Sequence, residues 1–522
     1  MAIRHYYIGV GGTGARVAEA LIHLCAAGLG PDELFLMLID PDAGNGNLSR
    51  TTELIKKYQD IQKQIGTRAD DVKVFRTKIV TPTPEVWSIF DQQNQTLSAF
   101  IGLNTLEATA PALKHFAELL FTEEDLLERL NEGFRGRPAI GAVVMAQPNP
   151  DVPPWSDFWA EIANVNRAEE AKVFVVGSIF GGTGAAGIPT LGASAVIRDR
   201  AALDAEKQKS KIYLGSCLVL PYFTFDQNIP LEEKTRLFIK PEDFPLATSS
   251  ALYYYLTKEL SYDEMYLVGD SGSEVVGSFA AGAGAQKNRA HYVELAAGLS
   301  ALDFFQHGEA TPTRDKQFFI TARDGSGINW DGLPVARHTH LVSDVQATVR
   351  YRLTSTAMFF YALSAYGRET LATLTRDPGA VPPVWFKDQF KFRGGTDDQR
   401  LDPRSAPQGE AIRRVEEFGE RFLFWLKDIV ADRHVSLLKI GAVLDDDGQI
   451  RPWKTAPIGQ FVAGTSHDVP FDRFVNDCLN DETFVRGNAG EVAADRYLNL
   501  FSLAANRFTH KHLNVLRPQA KG

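Results

Sequence analysis

Hydrophobic residues at the start of the chain fall into three blocks whose spacing predicts a strand, a helix and a second strand. Residues 3–10 (IRHYYIGV) form a short apolar run that is typical of a buried strand. Residues 33–40 (ELFLMLID) form another, which ends in an acid. Between them, apolar residues recur at helical spacing, at Val17, Leu21, Leu24 and Ala27. This succession predicts a βαβ unit with parallel strands.

The middle of the chain repeats the same pattern. Residues 171–179 (AKVFVVGSI) predict a strand, GGTGAAG a turn, the next small residues a helix to about Arg200, and residues 211–221 (KIYLGSCLVLP) another strand. These strands are rich in Val, Ile and Leu without polar alternation, which indicates a sheet covered on both faces. The pattern predicts an α/β fold with a doubly wound, mainly parallel sheet.

Further along, the hydrophobic pattern becomes mostly helical. Residues 246–260 predict a helix, EMYLVGD a strand that ends at Asp270, and the stretch from Lys287 to His307 a long helix with one apolar face. After about Pro334 two long helical patterns dominate. We therefore expect a nucleotide-binding domain over residues 1–285, a central linking helix over 286–307 and a largely helical C-terminal domain over 308–522.

Composition narrows the class of protein. The chain has 522 residues, of which 44% are hydrophobic and 23% charged, as in ordinary globular proteins, and no apolar run is long enough to span a bilayer. Its first residues lead directly into a strand, so we expect no signal peptide and a cytoplasmic location. A net charge of −10 argues against nucleic-acid binding. The three cysteines are widely separated, which suggests neither a disulfide framework nor a zinc site.

Two glycine-rich turns, IGVGGTG at residues 8–14 and FGGTGAAG at residues 180–187, each follow a predicted strand and open a predicted helix. Such turns offer backbone N–H groups and the positive end of a helix dipole, a common way to hold phosphate. The chain has no GxxxxGK[ST] motif, so a P-loop NTPase is not indicated. Mg²⁺ or an arginine would have to supply further positive charge. The candidates are Arg16, Arg135 and Arg137, and the alternative for each is a solvated surface side chain.

These two turns, in this order, resemble the phosphate loops of the tubulin/FtsZ superfamily of nucleotide-binding proteins. GFRGRPAIG at residues 133–141 resembles the γ-phosphate loop of that family, and LPYFTFD at residues 220–226 resembles its ribose segment. The likeness runs from residue 8 to about residue 306 and is to divergent bacterial members. It implies a tubulin/FtsZ-like GTPase-type domain with a long central helix and a mostly helical C-terminal domain.

The resemblance also implies roles for individual residues. One side of the phosphates would be met by Gly11, Gly12, Thr13 and Gly14, and the other by Gly181, Gly182, Thr183, Gly184, Ala185, Ala186 and Gly187. Asp226 would bond the ribose and Asn288 the base, where the alternatives are a turn residue and a helix N-cap. GTP with Mg²⁺ is the expected ligand.

Hydrolysis in that family needs an acidic loop, which reaches the nucleotide of the next subunit. Here GINWDGLP offers only Asn329 and Asp331, and Asp331 has the alternative of a turn residue beside Gly332. We therefore expect slow GTP hydrolysis at most. The resemblance further implies self-association into a homo-oligomer or filament. It also implies a partner protein, bound through the C-terminal domain, in a bacterial multi-protein system such as a defence system.

Two other families share the first turn. GVGGTG, LIDPD and GNLSRT also resemble the ubiquitin-activating, E1-like adenylating enzymes, in which case Asp40, Asp42, Asn47 and Arg50 would serve ATP. A Rossmann dinucleotide-binding protein would use Asp40 on a ribose. Neither alternative explains the second glycine turn. A module that holds a nucleotide only for structure also remains open.

Overall fold

The structure is a computed structural model. It describes residues 3–42, 44–65, 74–88, 95–130, 134, 136–146, 151–163, 170–193, 211–224, 244–257, 262–270, 274–275, 288–306, 316–321, 330, 333, 342–377, 379–391, 400–431, 435–462, 469–481, 492–513 and 515.

An eight-stranded sheet forms the centre of the described part of the fold, and its strand pairs there are all parallel. The strands are β1 (Ile3–Val10), β2 (Glu33–Ile39), β3 (Lys78–Val80), β4 (Val86–Trp87), β5 (Glu170–Ser178), β6 (Lys211–Val219), β8 (Glu264–Gly269) and β10 (Lys316–Thr321). Their order in the sheet is β10-β8-β6-β5-β1-β2-β3, with β4 also paired to β2. The short strands β7 (Phe223–Thr224) and β9 (Glu274–Val275) pair separately. The doubly wound, mainly parallel α/β class is confirmed.

Both faces of the sheet are buried, which explains why its strands lack polar alternation. In β1, Tyr7 packs into one hydrophobic core and Ile8 into the other. In β5, Phe174 and Val175 divide in the same way. Successive side chains of a strand point to opposite faces, so a strand covered on both sides needs apolar residues at every position.

Helices cover the sheet on both faces. The helices described in this part of the chain are α1 (Gly11–Ala26), α2 (Gly46–Ile65), α3 (Leu97–Phe100), α4 (Leu103–Thr109), α5 (Pro111–Leu120), α6 (Glu123–Leu126), α7 (Pro138–Met145), α8 (Trp155–Ala163), α9 (Gly182–Ala193), α10 (Phe244–Thr257) and α11 (Tyr292–Gln306), of which α4 and α5 bury no residue. Side chains of α1, α2 and α11 belong to one core, and side chains of α7, α8 and α9 to the other. Helix α10 contributes Phe244 to the first core and Tyr255 to the second.

The described part of the C-terminal third is largely helical, as the sequence predicts. Its helices are α12 (Val342–Ala362), which a π-helical turn continues over Leu363–Gly367, α13 (Arg368–Arg376), α14 (Val384–Gln389), α15 (Ala406–Ile429), α16 (Asp472–Phe474), which a second π-helical turn continues over Val475–Leu479, and α17 (Ala493–Lys511). Short 3-10 turns lie at Ile440–Ala442 and Ile458–Gln460. No helix within the described ranges has both the length and the hydrophobicity to cross a bilayer.

The central helix begins later than the sequence pattern predicts. Residues 288–290 are not helical, and α11 starts only at Tyr292. At its start, the His291 N–H donates to the Glu294 carboxylate at 3.1 Å, and the Val293 N–H donates to His291 Nδ1 at 3.2 Å. These bonds satisfy N–H groups of the first turn, which have no partner within the helix, and so they define where the helix begins. From Tyr292 to Phe305 every residue of α11 is buried.

Candidate functional site

The sheet changes direction between β1 and β5. After β1 the chain crosses to β2 on one side, and it later returns to form β5 on the other side. Ligands of open α/β sheets bind beyond the carboxyl ends of the strands at such a switch point, because the two following helices diverge there and leave a crevice. Both glycine-rich turns lie at this position.

The first turn is built so that α1 starts immediately after β1. Gly11 has a φ of +73°, a backbone conformation that a side chain would strain. A Cβ atom on Gly14 would lie only 2.6 Å from the Gly9 carbonyl carbon and 2.7 Å from the Val176 oxygen. The Tyr7 hydroxyl donates to the Gly14 carbonyl at 2.8 Å. Glycine is therefore needed here for close packing between the helix and the two central strands.

The second turn follows the same plan. It connects β5 to α9, whose first residue is Gly182. A Cβ atom on Gly187 would lie 2.6 Å from Val10 Cγ1, so α9 packs directly against the end of β1.

The two turns touch each other. A Cβ atom on Gly11 would lie 3.3 Å from Thr183 Cβ and 3.6 Å from the Gly184 nitrogen. The amino-terminal ends of α1 and α9 are therefore neighbours, and their first N–H groups have no acceptor within their own helix. Gly12, Gly181 and Thr183 are partly exposed, whereas the remaining turn residues Gly11, Thr13, Gly14, Gly182, Gly184, Ala185, Ala186 and Gly187 are buried. This arrangement can hold an anionic group between two helix termini.

The segment before α7 forms a third wall. A Cβ atom on Gly182 would lie 2.9 Å from Phe134 Cβ and 3.0 Å from the Gly136 nitrogen, so this segment touches the second turn. Arg137 follows directly, and its guanidinium lies 2.7 Å from Asp125 and 3.7 Å from Glu128. Carboxylates thus already compensate the charge of this predicted phosphate ligand.

Arg16 is likewise engaged within the protein. Its Nε lies 2.8 Å from Glu294 Oε1, and its Nη2 donates to the Tyr222 hydroxyl. That hydroxyl donates in turn to Glu294 at 2.6 Å. The Arg16 residue is only 3% exposed. The guanidinium therefore joins α1 to α11 as part of a buried polar cluster.

The loop that follows β2 lies beside the first turn. A Cβ atom on Gly12 would lie 3.5 Å from Asn45 Nδ2 and 3.7 Å from Asn47 Nδ2. In this loop the Asp40 carboxylate accepts a hydrogen bond from the Asp42 N–H at 2.9 Å. Burial raises the pKa of Asp40 to about 7, although the Asp42 N–H acts in the opposite sense.

Asn288 also belongs to this group of residues. Its backbone N–H and side-chain amide both bond to Asn47, at 3.0 and 3.1 Å. Its carbonyl accepts from Arg50 at 2.7 Å, and the Arg50 guanidinium is paired with Glu19 at 2.6 Å. Asn288 is therefore not the N-cap of α11 and stands next to the first glycine turn through Asn47.

Sequence reasoning missed Asn45, Tyr222 and Glu294. Asn45 had a signal, since Asn-Gly before a helical pattern is typical of an N-cap, and its side chain accepts the Asn47 N–H at 2.9 Å. Tyr222 and Glu294 had none, because their partner Arg16 is more than two hundred residues away in sequence.

Four predicted site residues, Arg135, Asp226, Asn329 and Asp331, lie outside the described residues. The roles given to them stay predictions, as do the nucleotide-binding roles of the glycine turns, Arg16, Arg137 and Asn288. In the ranges that the structure describes, no three His, Cys, Asp or Glu side chains gather in a way that could hold a metal ion.

No protein-family model matches the chain, and no curated protein matches it. A solved structure described as CetZ2 from Haloferax volcanii, GTPγS-bound protofilament, is similar over 59% of this chain and 61% of that chain, with 15% identity and a TM-score of 0.26. The match thus spans about three fifths of the CetZ2 chain.

Proposed function

We propose that this chain is a tubulin/FtsZ-like protein that binds a purine nucleoside triphosphate, in the first place GTP. The observation that carries the proposal is the contact between the two glycine turns, where Gly11 meets Thr183 and Gly184 at the switch point of the sheet. Two adjacent helix termini can share the phosphates of one nucleotide. A Rossmann protein needs only one such turn, and so does an adenylating enzyme.

Positive charge beyond the two helix ends is proposed to come from Mg²⁺. Arg16 and Arg137 are each paired with carboxylates, which leaves less of their charge for a ligand. A nucleotide-bound Mg²⁺ takes phosphate oxygens and one or two carboxylates. Asp42 is a carboxylate at this edge of the sheet that fits such an ion, and Asp40, whose side chain accepts from the Asp42 N–H, would join it in its deprotonated form. When bound, Mg²⁺ would neutralise phosphate charge.

The remaining elements of the proposal come from the family resemblance. Asp226 would contact the ribose, and Asn329 with Asp331 would support at most a slow hydrolysis of GTP. Self-association into a homo-oligomer or filament belongs to the same proposal, and so does a partner protein of a bacterial multi-protein system at the C-terminal helices. We propose a cytoplasmic location on the same basis.

A binding titration with a matched pair of variants tests the proposal. Gly12 suits this test, because a Cβ atom there would meet nothing closer than 3.5 Å, whereas one on Gly182 would collide with Phe134. Gly12→Asp places a carboxylate where phosphate is expected and should weaken GTP binding at least about 100-fold, or about 2.7 kcal/mol. Gly12→Ala adds the same Cβ atom without charge and should bind within about threefold of the wild type.

Calorimetric titration of GTP, ATP and NAD, each with Mg²⁺, measures these affinities. Equal binding by both Gly12 variants would mean that the first turn is structural. Preference for NAD would favour the Rossmann alternative with Asp40 on a ribose. Release of pyrophosphate from ATP with a ubiquitin-like protein would favour the adenylating alternative, in which Asp42, Asn47 and Arg50 would also take part.

A further inference from the structure

Helices α4 and α5 form a hairpin on the surface of the α/β part of the chain. Neither helix buries a residue, and α5 packs mainly against α4. Lys114 joins the two helices, because its ammonium group lies 3.3 Å from Glu107 of α4 and 3.7 Å from Glu118 of its own helix. The hairpin is therefore held by its own contacts and leaves one side of α5 uncovered.

The uncovered side of α5 is apolar. It consists of Leu113, Phe116, Leu119 and Leu120, which are 57%, 57%, 84% and 59% exposed and which we call the α5 stripe. Their spacing of three and four residues puts them on one face of the helix. Lys114 and Ala117 are less exposed and mark the side that lies against the protein. The stripe thus points away from the chain that carries it.

No other helix within the described ranges exposes as many large apolar side chains. Helix α10 comes next with three, Leu246, Tyr253 and Tyr254. At about 200 Å² for a whole large side chain, the α5 stripe exposes roughly 500 Å² of apolar surface. The largest apolar patch of a monomeric protein is about this size and is often an interaction site. The stripe is therefore the strongest candidate for an interaction surface outside the glycine turns.

The charges of the hairpin argue against a lipid surface as the partner. Residues 103–126 are all described, and Lys114 is the only Lys or Arg among them. Its charge is already compensated by Glu107 and Glu118. Helices that bind anionic bilayers carry Lys and Arg along their polar face. The stripe itself carries no charge, so it fits an uncharged apolar surface of another protein molecule.

The α5 stripe is complementary to a second copy of itself. In an antiparallel pair whose two-fold axis passes at Phe116, positions equally far before and after Phe116 lie at the same level. Leu113 then lies level with Leu119 of the second copy, and the exposed Ala112 lies level with Leu120 of the second copy. The two Phe116 rings meet at the axis. A small side chain level with a large one lets two helices pack closely.

We propose that two copies of this chain pair through their α5 stripes as an antiparallel dimer with two-fold symmetry. Such an interface requires one surface that fits itself, whereas a head-to-tail contact would need a second, matching apolar surface. Pairing removes both stripes, roughly 1,000 Å² in total, from water, which is near the lower limit for a specific interface. The dimer should therefore be reversible. It goes beyond the proposed function, because the stripe includes no residue of the glycine turns and pairing needs no nucleotide.

A matched pair of variants tests which surface is used. Sedimentation equilibrium without nucleotide should show a wild-type dimer with a dissociation constant on the order of micromolar. Leu119→Asp should weaken it at least about 30-fold, because pairing would bury a carboxylate against apolar side chains. Leu246→Asp makes the same change at a 70% exposed position of α10 and should leave the dissociation constant within about threefold of the wild type.

An exchange of charges tests the antiparallel geometry. Leu113→Lys alone should also weaken the dimer, because it places an unpaired charge in the stripe. In the double variant Leu113→Lys/Leu119→Asp, each new lysine lies level with the new aspartate of the second copy. At low salt this variant should dimerise at least about tenfold more tightly than either single variant. A parallel or head-to-tail contact would give no such recovery, and its absence would overturn the proposed geometry.

Other results would overturn the pairing itself. They are a wild type that stays monomeric without nucleotide at about 100 μM, and equal dissociation constants for Leu119→Asp and Leu246→Asp. A monomeric wild type that cosediments with phosphatidylcholine vesicles, when Leu119→Asp does not, would assign the stripe to lipid instead. Circular dichroism checks that the variants fold, as expected for changes at exposed positions.

Calorimetric titration of the same samples with GTP separates this inference from the proposed function. A wild-type dimer that binds neither GTP nor ATP would support the pairing and overturn only the proposed function. Tight GTP binding by a chain that stays monomeric before nucleotide is added would overturn only the pairing.

Discussion

At the scale of single residues, Asp40 beside the candidate site has a carboxyl pKa that folding changes. Its carboxyl group follows β2 and is only 4% exposed. Burial raises its pKa to about 7, from an ordinary value near 4 in the unfolded chain. The folded protein therefore holds a proton that the unfolded chain releases. The stability from this proton is complete below about pH 4 and is lost as pH rises through about 7.

Asp40→Asn should remove this pH dependence. The amide oxygen can still accept from the Asp42 N–H, but the side chain no longer titrates. Between about pH 5 and 7 the unfolding free energy of the wild type should fall relative to that of the variant by about 1.4 kcal/mol per pH unit. The variant should be the more stable protein above pH 7. Urea unfolding followed by circular dichroism at several pH values measures the difference in unfolding free energy between the two proteins. Other buried acids such as Glu416 titrate in both proteins, so their contribution cancels in this difference. Parallel curves for the two proteins would contradict the expectation.

Local sequence could predict the position of the glycine turns but not the partners of the charged residues. The turns follow from short patterns, since a buried strand followed by Gly-Gly-Thr-Gly and a helical repeat is contained within about twenty residues. The ion pair of Arg16 with Glu294 joins segments far apart in the chain. Which distant charges meet in the folded state depends on the tertiary arrangement, so Arg16 had no local signal of its carboxylate partner.

At the scale of secondary structure elements, α9 contains an internal proline that its neighbours compensate. Pro189 has no N–H group, so the carbonyl of Ala185, four residues earlier, receives no helical hydrogen bond from it. The Tyr255 hydroxyl of α10 donates to this carbonyl at 3.0 Å. The carbonyl of Ile188, the residue directly before the proline, accepts from the Tyr262 hydroxyl at 2.6 Å. Tyrosines outside α9 thus support the helix that begins at the second glycine turn.

Tyr255→Phe should destabilise the protein by about 1 to 3 kcal/mol, because the buried Ala185 carbonyl would lose its donor. Pro189→Ala restores a backbone N–H group at the position that normally serves this carbonyl. In that background the same Tyr255→Phe change should cost clearly less. A double-mutant cycle of unfolding free energies measures this coupling. Additive costs would show that the hydroxyl and the missing N–H group do not compensate each other.

The sequence pattern located these elements well and their ends less well. The predicted strands 3–10 and 33–40 correspond closely to β1 and β2, and the helix predicted over 246–260 corresponds to α10 (Phe244–Thr257). The central helix differs, because residues 288–290 bond to α2 and α15 instead of forming a first turn. These bonds come from distant parts of the chain, whereas periodicity reports only which residues share a face.

At the scale of the whole molecule, α1 connects the candidate site with the C-terminal helices. Its first residue is Gly11 of the first turn, and its last turn contains His23. The His23 ring packs against Phe418, Phe422 and Trp425 of α15. One continuous hydrophobic core includes α1, α11 and α15. The proposed domain boundaries near residues 285 and 307 therefore divide the sequence but not this core.

Self-association is the property to test at this scale. With GTP and Mg²⁺ the wild type should sediment faster than without nucleotide, because the family resemblance implies that a second subunit completes the hydrolytic site. Gly12→Asp should sediment alike under both conditions. Sedimentation velocity measures the change, and phosphate release in the same samples measures turnover. Identical profiles for the wild type with and without GTP would contradict the proposed assembly.

The contact between His23 and Trp425 makes tryptophan fluorescence sensitive to the packing of α1 against α15. The two rings are stacked with centroids 4.7 Å apart, and burial lowers the pKa of His23 to about 3, so the imidazole is neutral throughout the neutral pH range. Protonation of His23 therefore cannot alter the indole emission of Trp425 there. The emission of Trp425 is the part of the protein's fluorescence that the Trp425→Phe variant lacks. Because Trp425 contacts the last turn of α1, a change in this emission would report a movement of α1 relative to α15.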